Sequence, residues 1–262
     1  MPNSSFSELT RVAVEAAKNA GALLQKGFGS YFEISTKPGV QNLVTEYDLI
    51  SEKAIMATIS EHFPEHAFLA EESGEIQKKN SSVTWIIDPL DGTLNFAHNI
   101  PVFSVSIAAF VEGSIVSGVV YHPMAQELFI AEKGKGAYLN TKPIHVSKIS
   151  KVKEALMATG FPYDVDKDPL NCVEKFAKMQ LQGVPIRRLG SAAIDLAYVA
   201  AGRWDAYWEV GLHPWDLAAG KLLVEEAGGK TSHWDGTSHT IFGSTMLASN
   251  GLLHEDMIEH LK

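Results

Sequence analysis

The stretch Trp85-Ile86-Ile87-Asp88-Pro89-Leu90-Asp91-Gly92-Thr93-Leu94-Asn95-Phe96 constrains this chain more than any other. Val83, Trp85, Ile86 and Ile87 form a short apolar run of strand formers, which predicts a buried strand. Asp88-Pro89 is expected to end it, because proline donates no ladder hydrogen bond and restricts the residue before it. Asp91-Gly92-Thr93 then supplies a turn glycine and a helix start. Two carboxylates three residues apart thus meet the carboxyl end of a strand beside a helix N-terminus. Hard cations take oxygen ligands and helix N-termini attract phosphate, so one segment satisfies both needs. As an isolated D-P-x-D-G, Asp88 and Asp91 read first as turn and cap residues.

A formal charge of −9 argues against nucleic acid as an electrostatically recruited partner. A phosphate site in such a chain needs local positive charge, which bound metal supplies. With 262 residues, 45% of them hydrophobic, the chain can bury a large core. Cys172 is the only cysteine, so no internal disulfide forms and a reducing cytoplasm is expected. No basic-then-apolar leader and no apolar run near ~20 residues is visible, so neither a signal peptide nor a membrane helix is expected.

Taken in order, Ser5 and Glu8 have capping-box spacing ahead of a helical pattern from Leu9 to Leu24, closing near Gly27 and Gly29. Residues 37–44 read as a loop before a second helix starting near Thr45. Leu49, Ile50, Ala54, Ile55 and Ile59 are its expected buried face, and Asp48 suits its first turn with no function at all. Phe68-Leu69-Ala70 is a short strand running directly into Glu71-Glu72-Ser73-Gly74. Residues 102–111 and 115–121 flank Glu112-Gly113-Ser114 as a hairpin, and 128–131 continues an antiparallel sheet. From about residue 150 strands near 155–159, 184–188 and 205–209 alternate with helices in 168–181 and 191–201, an α/β layer. Either one large domain or two tightly packed halves, 1–147 and 148–262, is expected.

WIIDPLDGTLNF resembles the signature of the inositol monophosphatase family of Mg²⁺-dependent sugar phosphatases. Trp215-Asp216-Leu217-Ala218-Ala219-Gly220 with Glu226-Ala227-Gly228-Gly229 resembles the family's second signature. Gly134-Lys135-Gly136-Ala137-Tyr138 and Gly190-Ser191-Ala192-Ala193 also match, so the likeness spans nearly the whole chain. The resemblance implies a five-layered α-β-α-β-α sandwich, of the type shared with fructose-1,6-bisphosphatase. It also implies a homodimer, two or three Mg²⁺ per site, and inhibition by lithium. By the same likeness Glu71, Asp88 and the Leu90 carbonyl hold a first metal, and Asp88, Asp91 and Asp216 a second. Thr93, oriented by Asp48, positions the attacking water, while the Gly92 and Thr93 N–H groups hold phosphate. Lys37 belongs to a loop that the family moves over its site. The chain departs from the commoner pattern at Ala70 for glycine, Leu90 for isoleucine and Ser191 for threonine.

Each residue also has a plainer reading. Thr93 and Asp216 sit where helix caps sit, and Glu71 and Glu72 are adjacent acids after a strand. His213 reads as structural, Gly134-x-Gly136 as a tight turn, and Arg187-Arg188 as a contact patch or as ion-paired. No Cys/His or H-E-x-x-H spacing suggests zinc. Glu209 ends an apolar strand, where a cap is the ordinary reading; the resemblance makes it a binder of substrate hydroxyls, with Gly190, Ser191 and Ala192 as the facing wall. The expected activity is hydrolysis of a small polyol or sugar phosphate monoester, inositol monophosphate first. Fructose 1,6-bisphosphate, NADP and 3′-phosphoadenosine phosphates are the rivals within the fold. A regulatory binding protein with secondary catalysis is the alternative of another class.

Overall fold

The computed structural model describes residues 6–36, 43–79 and 81–262. In chain order its first elements are α1 (Glu8–Gly27), β1 (Ile34–Thr36), β2 (Leu43–Thr45), α2 (Glu46–His62), β3 (Ala67–Ala70), β4 (Gly74–Ile76) and β5 (Val83–Asp91). Next come α3 (Thr93–Ala97), β6 (Ser104–Val111), β7 (Ser114–His122), β8 (Glu127–Glu132), β9 (Ala137–Leu139) and β10 (Lys142–Ile144). The remainder is β11 (Met157–Thr159), α4 (Cys172–Leu181), β12 (Ile186–Arg187), α5 (Ala192–Ala200), β13 (Ala206–Val210), α6 (Pro214–Glu226), β14 (Lys230–Ser232), β15 (Thr245–Ser249) and α7 (His254–Leu261).

Strand β5 does not stop at Asp88-Pro89 as the sequence suggests; it runs through to Asp91. Its pairing with β6 shifts register between Asp88 and Asp91, and proline is tolerated at such an irregularity because no ladder donor is required there. Eight strands lie in the order β10-β9-β8-β7-β6-β5-β3-β4, antiparallel except for the parallel pair β3–β5. Five more form a second sheet, β12-β11-β13-β15-β14, in which β11 runs parallel to both neighbours.

Three apolar cores bind these sheets into layers. Ala13, Ala17, Ala20 and Leu24 of α1, with Ile55 and Ile59 of α2, pack on Trp85, Ile87 and Ile107 of the large sheet. On its other face Ile86, Val120 and Phe129 meet α5 and α6, which also cover Tyr207, Met246 and Ala248 of the small sheet. Met179 of α4 and Met257 and Leu261 of α7 close the far side against Met157, Trp208 and Leu247. The result is helices, sheet, helices, sheet, helices: the expected five-layered sandwich. None of the described helices is long and apolar enough to cross a membrane.

Local expectations fail at two helices. The side chain of Ser7, not Ser5, caps α1 by accepting from Thr10 N; Ser5 lies outside the described residues. Helix α2 starts at Glu46 with Thr45 as its cap, near where expected, but Leu49 and Ile50 are exposed and its buried side is Asp48, Ser51, Glu52, Ile55 and Ile59. Polar residues turn inward there because the helix start faces acceptors and donors of the large sheet's end rather than apolar core; Ser51 Oγ donates to Pro89 O at 2.6 Å.

His254, at the start of α7, is fully buried, its Nδ1 2.8 Å from Ser249 Oγ and its Nε2 2.9 Å from Ser232 Oγ. Burial pushes its pKa down to about 4. A histidine titrating near 6.5 when unfolded then takes up protons preferentially in the unfolded chain as pH falls from about 6.5 to about 4. Stability is therefore lost over that window, by at most about 3 kcal/mol from this residue. Urea midpoints at pH 7.5 and 5.0 should fall less in His254→Gln than in the wild type; equal falls would remove His254 from the account.

Candidate active site

The carboxyl end of β5 opens into a cleft of about 400 Å³ lined by Glu71, Asp88, Leu90, Asp91, Thr93 and Asp216. Three elements place the four acids. Asp88 and Asp91 flank the β5 irregularity, where Asp88 Oδ1 accepts from Leu90 N at 3.0 Å. Glu71 follows β3, anchored by its N–H to Ile87 O at 3.1 Å. Asp216 is the third residue of α6 and its Oδ2 accepts from His213 N at 2.6 Å. Asp91 Oδ2 accepts from Ser191 Oγ at 2.6 Å and Ala193 N at 2.8 Å, so the first turn of α5 is tied to β5. Between the two candidates after β3, Glu71 lines the cleft. The turn behind it is held by Glu52 of α2, which accepts from Glu72 N at 2.9 Å and from Ser73 Oγ.

Burial and mutual repulsion dominate the electrostatics. Desolvation, then the charges of Glu71, Asp91 and Asp216, drive Asp88 well above the usual carboxylate range. Asp216 is raised the same way, by burial first and Asp91 next. Asp91 rises to about 6, because burial outweighs its bonds from Ser191 and Ala193. Acids that raise one another in this way are stabilised as anions by a cation among them. Carboxylate oxygens plus the Leu90 carbonyl are the donor set of a hard divalent ion, and this chemistry fits Mg²⁺. Among the described residues no three acidic, histidine or cysteine side chains already close around one point as metal ligands do. The fit therefore rests on donor type, shared cleft and mutual repulsion.

Thr93 begins α3, preceded by Gly92 at φ +99°. That left-handed angle suits glycine, and a Cβ there would lie 3.0 Å from Val102 O and 3.2 Å from Gly190 O. Thr93 Oγ1 sits 2.9 Å from Asp48 Oδ1 and 3.0 Å from Leu90 O, donating its one proton between them. The other Asp48 oxygen accepts from both N and Oγ1 of Thr45 at 2.7 Å. Asp48 is thus the capping-box residue of α2 and the partner of Thr93 at once. Burial lifts its pKa to about 6 against the pull of those bonds, leaving it mainly ionised at neutral pH.

Across the cleft stand Gly190, Ser191, Ala192 and Glu209. The Tyr207 hydroxyl donates to Glu209 Oε2, and burial raises the Glu209 pKa to about 7, with Asp91 adding to it and Arg188 opposing. Gly160 packs so closely that a Cβ would fall 2.0 Å from a Glu209 carboxylate oxygen. His213 stacks on Trp215 with ring centroids 4.8 Å apart. Arg188 reaches the rim with its guanidinium 5.4 Å from the Phe161 ring centroid, while Lys37 lies outside the described residues.

Several lining or supporting residues carry little sequence signal. Asp195 lies one turn after Ser191 on α5, is buried, and accepts from Trp204 Nε1 at 3.0 Å. Asn95 Nδ2 bridges Val102 O and Leu189 O, each at 2.8 Å, joining α3 to the loop before α5. Tyr163 also lines the cleft, its pKa pushed up to about 12 by burial and by the four acids. The i, i+4 spacing of Ser191 and Asp195 was the one available hint for the latter.

The sequence profile of the inositol monophosphatase family matches residues 5–262. A protein of Synechocystis sp. named inositol-1-monophosphatase is 43% identical over 258 residues, 98% of this chain and 90% of that protein. The Nus factor SuhB of Escherichia coli is 39% identical, over 97% of this chain and 96% of its own. The crystal structure of the extragenic suppressor protein suhB from Bartonella henselae superposes with a TM-score of 0.93 at 40% identity, covering 98% of this chain and 99% of that one. The layered fold, the motifs and full-length matches at this identity agree: the chain belongs to the inositol monophosphatase family.

Proposed function

We propose that the chain is a Mg²⁺-dependent phosphatase of small polyol phosphate monoesters, with myo-inositol monophosphate as the first substrate to test. The observation that carries this reading is the convergence of Glu71, Asp88, Asp91 and Asp216 with Thr93 and Glu209 in one cleft. Mg²⁺ held by those acids and the Leu90 carbonyl would activate water and stabilise the charge of the leaving oxygen. The protein's own part is mostly positioning, since phosphoryl transfer demands little covalent help. With its proton committed to Asp48 or Leu90 O, Thr93 Oγ1 keeps lone pairs with which to accept from the attacking water. The N–H groups of Gly92 and Thr93, at the start of α3, would receive phosphate oxygens. Ionised above its pKa of about 7, Glu209 would accept hydrogen bonds from neighbouring substrate hydroxyls and repel a second phosphate, which favours monophosphates over bisphosphates. We further read the chain as a cytoplasmic homodimer.

The relative named a Nus factor supports a second role, as a binding protein whose docking is separate from hydrolysis. A folded but inactive variant that keeps such a partner would separate the two roles.

Phosphate release in Mg²⁺ should be fastest with inositol monophosphate when it is compared with fructose 1,6-bisphosphate, NADP and 3′-phosphoadenosine phosphate. In the same assay Asp91→Asn should stay folded, keeping an acceptor for Ser191, and lose about a hundredfold or more in turnover. Near-normal turnover at saturating Mg²⁺ would withdraw Asp91 from the metal set.

Glu209→Gln should lower kcat/KM for inositol monophosphate by ~1–3 kcal/mol in transition-state stabilisation, the range for a hydrogen bond to a charged group. An aryl phosphate lacking those hydroxyls should lose less. Equal losses would assign Glu209 to the scaffold.

Lithium should inhibit, because a small monovalent cation in one carboxylate site lacks the charge needed at the leaving oxygen. LiCl and KCl titrations at matched ionic strength should diverge; superimposable curves would reject the idea.

A further inference from the structure

A second pocket, of about 390 Å³, shares no lining residue with the catalytic cleft. Its walls are mainly apolar: Phe110 and Ile115 from the β6–β7 hairpin, Leu222 of α6, and Ile241 with Phe242 from the segment before β15. Phe242 is 65% exposed although its ring meets Phe110 edge-on at 6.3 Å, so this aromatic pair stands at an open mouth.

His239 lines the same pocket and is 93% buried by its 7% exposure, yet apart from the nearby Thr245 backbone no group offers its ring nitrogens a hydrogen bond. Leaving a buried polar group unpaired is costly, so such a group calls for a partner from outside. Burial, with His233 and Lys221 nearby, holds its pKa at about 4, so the ring is neutral and offers one donor and one acceptor. The charged groups of the rim are mostly engaged. Glu226 accepts from Gly134 N and Gly136 N at 2.8 Å each, and Glu225 pairs with Lys221 and accepts from Thr231 Oγ1. Glu226 keeps its negative charge, since its donors are neutral amides, so the rim is close to balanced; exposed Lys133, with no ion-pair partner among the described residues, is the rim cation open to an incoming anion.

We propose that this pocket is a second ligand site, for a small organic acid whose apolar ring lies between Phe110, Ile115 and Phe242, whose hydroxyl meets His239, and whose carboxylate meets Lys133. The volume admits a bicyclic body and no large partner. Leu222 and Glu225 stand on α6 six and nine residues beyond Asp216, about 9 to 14 Å along one helix, so an occupant would touch the element that carries a cleft acid.

The test is calorimetric titration of the full-length protein with 6-hydroxynaphthalene-2-carboxylate, its neutral carboxamide, and naphthalene-2-carboxylate, which lacks the hydroxyl. The first should bind one per chain with a Kd of the order of 1 mM or below. Each of the other two should bind about three- to fivefold more weakly, the size of one partly exposed charge or one hydrogen bond. Lys133→Glu, at an exposed position that spares the fold, should erase the preference for the carboxylate. Ile115→Trp, checked for folding by thermal melting, should abolish binding by filling the pocket. Saturating Mg²⁺ with inorganic phosphate should leave the affinity unchanged, which sets this site apart from the catalytic one whatever the substrate proves to be. Absence of saturable binding up to about 10 mM, competition by phosphate, or an undiminished carboxylate preference in Lys133→Glu would overturn the proposal.

Discussion

Glu71, Asp88, Asp91 and Asp216 crowd one end of the cleft, and the architecture can be understood as the means of keeping them there. Repulsion and desolvation push Asp88, Asp91 and Asp216 upward in pKa, so the cluster opposes folding unless something compensates. Helix N-termini provide part of the compensation. Asp48 and Asp216 each occupy the third position of a helix, and Asp91 is capped by the first turn of α5. The positive ends of α2, α5 and α6 therefore face acidic groups, and the start of α3 sits among them. The remaining imbalance is what a cation held among these acids would relieve.

That arrangement explains why cap and site readings of the same residue are not rivals. Asp48 closes the capping box of α2 with one oxygen and meets Thr93 with the other. Asp216 bonds the His213 N–H while lining the cleft. A carboxylate pinned by backbone N–H groups loses rotamer freedom once, on folding, and arrives at the site already oriented. Capping is thus the positioning device.

The local elements were legible because hydrophobic period and turn chemistry act over a few residues. The β6–β7 hairpin, the start of α2 and the β–α alternation after residue 150 lie where the pattern places them. What failed needed information from elsewhere in the chain. Leu49 and Ile50 look like the inner face of α2 until the helix start is seen to pack against polar groups, with Glu52 turned inward to hold the Glu72–Ser73 turn. Pro89 looks like a strand end until the β5–β6 register shift accommodates it. At the site, the motif resemblance named the acids, but the bond from Ser191 to Asp91 joins positions 100 apart in sequence. Neither that bond nor Asn95 bridging to Leu189, nor Gly160 yielding space to Glu209, has a local signature.

The middle helical layer is where these distant pieces are brought into register. Ala192, Ala193, Ala197 and Ala200 of α5 and Ala218 and Ala219 of α6 are buried between the two sheets. Small side chains let both helices lie close to Ile86 and Val120 on one side and to Tyr207 and Met246 on the other. Asp88 and Asp91 come from the large sheet, Glu209 from the small one, and Ser191 and Asp216 from the helices between. A larger residue in that layer would therefore move the two walls of the cleft relative to each other, even without touching any acid. The precision of the site is a property of helix packing some way from it, which is why an alanine-rich segment with no chemistry of its own belongs to the functional part of this sequence.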